Sequence, residues 1–156
     1  MPNLRTYFFV ITMKINLKER TKCLEGELTP YWYENSFTGL KKTLFYRLNI
    51  PLSDFDSGLE YVNQPEKTSI MFEWLEFGII QLHEIDELII NETSYPKLEC
   101  SIYLGSAHNR CLVKHVQLVK IQHGEFEVKG ELLIDFESEG VAENEFFDFS
   151  TIVKYM

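Results

Sequence analysis

The chain has 156 residues, enough for one ordinary domain with a sizeable core, and a 45% hydrophobic, 14% aromatic composition excludes a disordered chain. A net charge of −9 and a pI near 4.9 argue against nucleic acid or an anionic membrane as a direct partner, because neither polyanion is attracted to the net field. Cys23, Cys100 and Cys111 form an odd count without CxxC spacing, which points to free thiols and a cytoplasmic setting rather than a disulfide framework or a zinc knuckle.

Residues 5–17 are β-branched and aromatic and predict a first strand. Their longest apolar run, Phe8 to Ile11, is far too short for a signal-peptide core or a membrane span. A charged connection over 18–30 leads to three consecutive aromatics, Tyr31, Trp32 and Tyr33. Between residues 35 and 50, Phe37, Leu40, Leu44 and Leu48 follow helical spacing, while Leu44, Tyr46, Leu48, Ile50 and Leu52 follow strand spacing. Gly39 and the composition of Thr43 to Tyr46 tip the balance to a strand over 42–50. Residues 51–68, rich in turn formers, predict a long loop.

From Ser69 onward short strands are expected over 69–77, 79–85, 87–91, 97–104 and 111–122, separated by Gly78 and by turns at 92–96, 105–109 and 123–124. Ile70, Phe72 and Trp74 share one parity, which places them together on a buried sheet face. A strand over 125–137, a polar turn over 138–145 and a last strand over 146–155 close the chain. The expectation is a single globular domain over 1–156, mainly β with a β-rich α+β fold as the alternative, built on an antiparallel sheet or sandwich of six to nine strands with at most one or two short helices.

Charge is unevenly spread: residues 1–50 carry a net +4, residues 51–124 a net −6 and residues 125–148 a net −8. Within the last segment Phe126, Val128, Leu132, Ile134 and Phe136 alternate with Glu125, Glu127, Lys129, Glu131, Asp135 and Glu137, the period of a strand with one buried face. Carboxylates two residues apart on such a face lie roughly 6.5–7 Å from one another and repel, so the fold gains nothing from them and the surface suits a basic partner. Glu127, Glu131 and Asp135 are the expected contact residues, extended into the turn by Glu139, Glu143 and Glu145. Tyr31, Trp32 and Tyr33 are the expected aromatic anchors, since three consecutive large rings cannot all face one core.

No residue set declares a catalytic, metal or cofactor chemistry, and no cofactor is expected. His83 and Glu84 open a zincin-like 83-HEID-86, but Glu87 stands where the second histidine is needed. Ser106 and His108 lie close in sequence without a nucleophile elbow, and neither glycine-rich phosphate signature occurs. Two rival readings stay open: a small carboxylate-dependent hydrolase using His83 or His115, and a β-sandwich or barrel holding a small molecule among Tyr31, Trp32, Tyr33 and Trp74.

The amphipathic strand, acidic turn and aromatic final strand of residues 129–155 resemble, in type, the immunity proteins of bacterial contact-dependent and other polymorphic toxin systems. The resemblance implies a non-catalytic cytoplasmic protein that binds a cognate toxin domain, frequently a basic nuclease, and blocks it by charge and shape complementarity. The acidic strand then imitates the toxin's polyanionic substrate.

Overall fold

A computed structural model describes residues 13–78 and 82–155. Among these residues there are eight strands: β1 (Gly26–Asn35), β2 (Leu40–Pro51), β3 (Ser69–Leu75), β4 (Glu87–Ile90), β5 (Glu99–Leu104), β6 (Ala107–Gln122), β7 (Glu125–Asp135) and β8 (Glu145–Tyr155). One helical turn, α1 (Leu17–Arg20), and a 3-10 turn at Leu82–Glu84 complete the regular elements among the described residues. The mainly β reading therefore holds, but the sheet is closed. Strands follow the order β6-β5-β3-β2-β1-β8-β7, and β7 pairs back onto β6, making a seven-stranded barrel. The expected antiparallel sheet or sandwich of six to nine strands is met in strand number and mostly in pairing but is closed into a barrel, and the reason lies in β6. One edge of this 16-residue strand pairs with β5 and then, past β5, with β4, while its other edge pairs with β7 along almost the whole length. Register shifts between Val113 and His115 and between Lys120 and Gln122 mark bulges, which increase twist and help a sheet curl shut.

The other seam is short. β1 meets β8 in parallel through Gly26, Glu27 and Leu28, opposite Val153, Lys154 and Tyr155. The backbones crowd there: a methyl group on Gly26 stands 2.6 Å from the carbonyl oxygen of Asn49 and 3.2 Å from Val153. Beyond Leu28, residues 29–35 of β1 and 40–45 of β2 pair only with each other, so a two-stranded ribbon projects from this end of the barrel. Pro30 is tolerated because β1 is an edge strand here, with no further partner for its missing N–H.

The interior is filled. Leu28, Leu48, Ile50, Ile70, Phe72, Ile102, Leu118, Val128, Leu132 and Val153 are all at most 1% exposed. Gly130 leaves the room that Phe149 and Val116 occupy, since a Cβ there lies 2.7 Å from the Phe149 ring and 2.8 Å from Val116. Tyr46, Phe77, Tyr95 and Tyr155 close the ribbon end through successive ring contacts of 5.1–6.1 Å. The opposite end is plugged by Ile15, Leu17, Leu52, Phe55, Leu59, Val141 and Ala142. Cys100 and Cys111 are buried in the core as free thiols, and burial pushes the Cys100 thiol well up.

Most of the expected strands are found, with informative exceptions. Of the first expected strand, residues 5–12 lie outside the described residues; residues 13–16 carry no strand and Leu17 begins α1, because Asn16 adopts a left-handed φ of 58° and turns the chain inward. The expected connection over 18–30 contains the start of β1, hidden by Pro30 and by the charges of Glu25 and Glu27. Residues 79–81 of the expected strand 79–85 are outside the described residues, and Leu82–Glu84 forms a 3-10 turn instead of strand. The expected turn 105–109 narrows to Gly105 and Ser106, both at positive φ as a type I′ hairpin requires, so β6 starts earlier.

Replacing Gly26 by Ala is expected to lower stability by about 1–3 kcal/mol, because the added methyl meets backbone that cannot rotate away. Urea unfolding of the variant measures it; an unchanged midpoint contradicts a seam packed this closely.

Candidate functional site

Alternation on β7 is as expected: Phe126, Val128, Leu132 and Ile134 are buried, and Glu127, Lys129 and Glu131 are exposed. The outer face is not a row of bare carboxylates, however. Lys129 approaches Glu127 at 3.2 Å, Lys154 approaches Glu125 at 4.0 Å, and Asp135 stands opposite Arg110. Register places Glu131 between His115 on β6 and Asp148 on β8, and Lys18 of α1 reaches both oxygens of Asp148 at 2.7 Å. That contact holds the Asp148 carboxyl below its ordinary range. Glu131 itself makes no hydrogen bond or ion pair with another described residue. The repulsion expected along this strand is thus reduced by Lys129 on the strand itself and by Lys154 on β8, and the carboxylates without a described ion pair are concentrated at Glu131 and the turn that follows.

That turn is firmly built. Asp135 accepts hydrogen bonds from the hydroxyl and backbone N–H of Ser138, which lower its pKa. Glu137 and Asn144 exchange side chain-to-backbone bonds of 2.9 and 3.1 Å, and the N–H of Val141 donates to the Phe136 carbonyl at 3.0 Å. Val141 and Ala142 are buried, anchoring the loop in the core between its exposed carboxylates. Glu143 donates its N–H to the Met13 carbonyl, and its carboxylate faces Lys14 at 3.7 Å. Glu145 accepts from the backbone N–H groups of Asn16 and Leu17 at 3.2 and 3.0 Å, so it fastens the N-terminal plug. Burial pushes the Glu145 carboxyl up, against those donors and Lys14. Glu139 is exposed and makes no bond or ion pair with another described residue.

The aromatic anchors lie elsewhere. Tyr31 and Tyr33 face the outside of the ribbon, where Tyr31 stacks on Phe45 at 6.0 Å and both rings meet Trp74 edge-on, at 5.8 and 4.9 Å. Trp32 is on the other ribbon face, 55% exposed, with Lys42 5.5 Å above its ring, and Phe37 at the hairpin tip is 100% exposed. Trp74 corrects the parity reading. Opposite Arg47, β3 carries the two residues Glu73 and Trp74, a bulge in which Trp74 takes φ 62°. The extra residue turns the indole outward and sends Leu75, wholly buried, into the core. A left-handed φ costs a bulky residue about 1–3 kcal/mol. The Trp74 N–H, freed from the ladder, donates to the Tyr31 hydroxyl at 3.2 Å, and that hydroxyl donates to Glu73. Arg47 completes the group, 2.7 Å from Glu73 and 5.1 Å from the Tyr31 ring.

Neither Phe45 nor this bulge was signalled by sequence spacing, since a one-residue insertion in a strand leaves no mark in composition. Tyr31, Tyr33 and Trp74 do come together, but they are not joined to the acidic residues. β8 runs from Glu145 at the acidic end to Tyr155 beside Leu28, roughly 33 Å at strand rise, and the ribbon extends beyond. His115 lies on the outer face of β6, with Glu131 and Asp148 in the same cross-strand row. Among the described residues, no group of three His, Cys, Asp or Glu side chains is arranged to hold a metal ion. No described helix is long and apolar enough to cross a membrane. Comparison with known proteins finds no matching family model, curated protein or solved structure.

Glu145 carries a pH signature. Its folded pKa lies above 4.5, so its contribution to stability is present in full below that value and is lost as pH rises through the folded pKa. Glu145→Gln removes this titration, so the stability of the parent relative to the variant is expected to fall between about pH 4 and pH 7. Urea midpoints at the two pH values measure the change; a difference that grows with pH contradicts the burial argument.

Proposed function

We propose that the protein is a non-catalytic binding protein that takes a basic protein domain onto its acidic end, in the manner of an immunity protein neutralising a toxin domain. The observation that carries this reading is the turn between β7 and β8. Its acidic residues sit on a loop braced by its own hydrogen bonds and by buried Val141 and Ala142. A rigid charged loop has little entropy left to lose on binding, so the attraction of a basic surface is not spent on ordering it. Glu131 and Glu139 supply the field that steers encounter, because no described cation is paired with either. The packed barrel interior favours recognition on the outside over a small molecule held within.

Two carboxylates now separate recognition from folding. Glu131→Gln combined with Glu139→Gln leaves every hydrogen bond of the turn in place, whereas the carboxylates of Asp135 and Glu145 accept hydrogen bonds that order the turn and the N-terminal plug. The partner is sought by copurification with the C-terminal domain of the protein encoded immediately upstream. With that domain in hand, the double variant is expected to associate several-fold more slowly at low salt, with a shallower salt dependence and a nearly unchanged dissociation rate. Equal association rates and equal protection of cells by parent and variant contradict the proposal.

A further inference from the structure

Beside the outer aromatic cluster lies a pocket of about 190 Å³, lined by Trp74, Glu76, Ser94, Tyr95, Pro96 and Lys97. Its walls are held from behind. Trp74 is locked by edge contacts with Phe45, Tyr31 and Tyr33 at 5.3, 5.8 and 4.9 Å. Tyr95 packs edge-on against Phe77 at 5.5 Å, and Phe77 stacks on the buried Tyr46 at 5.1 Å. The loop that carries Ser94 and Tyr95 is closed by bonds from both of their N–H groups to Asn91 and from the Leu98 N–H to the Tyr95 carbonyl.

The charges at the rim are already matched. Lys97 pairs with Glu76 at 3.2 Å and lies 5.6 Å above the Phe45 ring, while Arg47 pairs with Glu73 at 2.7 Å. No charge is left over to select an ionic occupant, and the indole, phenol and pyrrolidine walls favour a flat apolar one. Size narrows it further, because an apolar cavity of about 150 Å³ accepts one benzene ring, and this pocket is only slightly larger. The left-handed φ of 62° at Trp74 is a second, independent sign. It is a strained conformation for a bulky side chain, it is what aims the indole at this pocket, and such strain collects at ligand clamps.

We propose that this pocket binds a single uncharged aromatic ring, presented either by a phenol-sized free molecule or by a phenylalanine or tyrosine side chain. The ring lies against the Trp74 indole, with Tyr95 and Pro96 closing the opposite side. The site is separate from the acidic turn and is unaffected by charge there.

The test uses the full chain with Trp32→Phe, so that Trp74 is the sole indole. Phenol and N-acetyl-phenylalanine amide are titrated separately while Trp74 fluorescence is followed. Saturable binding in the millimolar range is expected for at least one probe. A tighter phenol assigns the site to free aromatic molecules, and a tighter amide assigns it to polypeptide side chains. Adding Ser94→Phe, at an exposed position, fills the pocket from its own wall and is expected to weaken binding at least tenfold without moving the urea midpoint. Glu131→Gln with Glu139→Gln leaves the affinity unchanged. Absence of saturation with both probes, or saturation that Ser94→Phe does not weaken, overturns the proposal.

Discussion

Closure of the sheet is the constraint on which the rest of the molecule depends. β6 is long enough to serve β5 and β4 on one edge and β7 on the other, and the three-residue parallel seam between β1 and β8 completes the ring. A closed barrel of seven strands has an interior that side chains can fill, and here they do, down to a glycine at 130 that admits the Phe149 ring. Closure also removes most exposed edges. What is left for recognition is the outside and the two ends.

Those ends differ in chemistry because the strands differ in length. β1 enters the barrel for only three residues before leaving it with β2, so the ribbon end exposes rings and lysines: Trp32, Phe37, Lys41 and Lys42. At the other end β7 and β8 are joined by a turn, and the carboxylates of β7 and of this turn divide between two tasks. Asp135, Glu137 and Glu145 hold backbone groups in place, and Glu131 and Glu139 face solvent without a described partner. The proposed binding of a basic domain uses the second group and depends on the first, since a floppy loop of the same charge would have to be ordered on contact.

The strands from β5 onward were legible because each buries one face, and period two survives even in short segments. β7 is the clearest case, with buried and exposed residues alternating as its sequence alternates. Elements whose role is set by distant partners were not legible. Residues 13–17 read as strand because Met13, Ile15 and Leu17 alternate with polar residues, yet a carboxylate from Glu145 caps that segment into a plug. β1 begins inside a charged stretch that no pattern marks, and the bulge at Trp74 reverses the face of a residue whose parity looked secure. For the candidate site, the acidic residues and the aromatic residues were both visible as compositions. That they stand at opposite ends, and that several carboxylates are structural, follows only from strand order and register.

Native-state amide hydrogen exchange tests the closed barrel most directly. If β1 and β8 seal the ring, the amides of Leu28 and Lys154 exchange only with global unfolding, at the same apparent free energy as the centre of the β6–β7 pair, while residues 31–35 and 40–44 of the ribbon exchange far faster. Fast exchange across the β1–β8 seam, with protection retained between β6 and β7, contradicts closure and returns the fold to an open sheet.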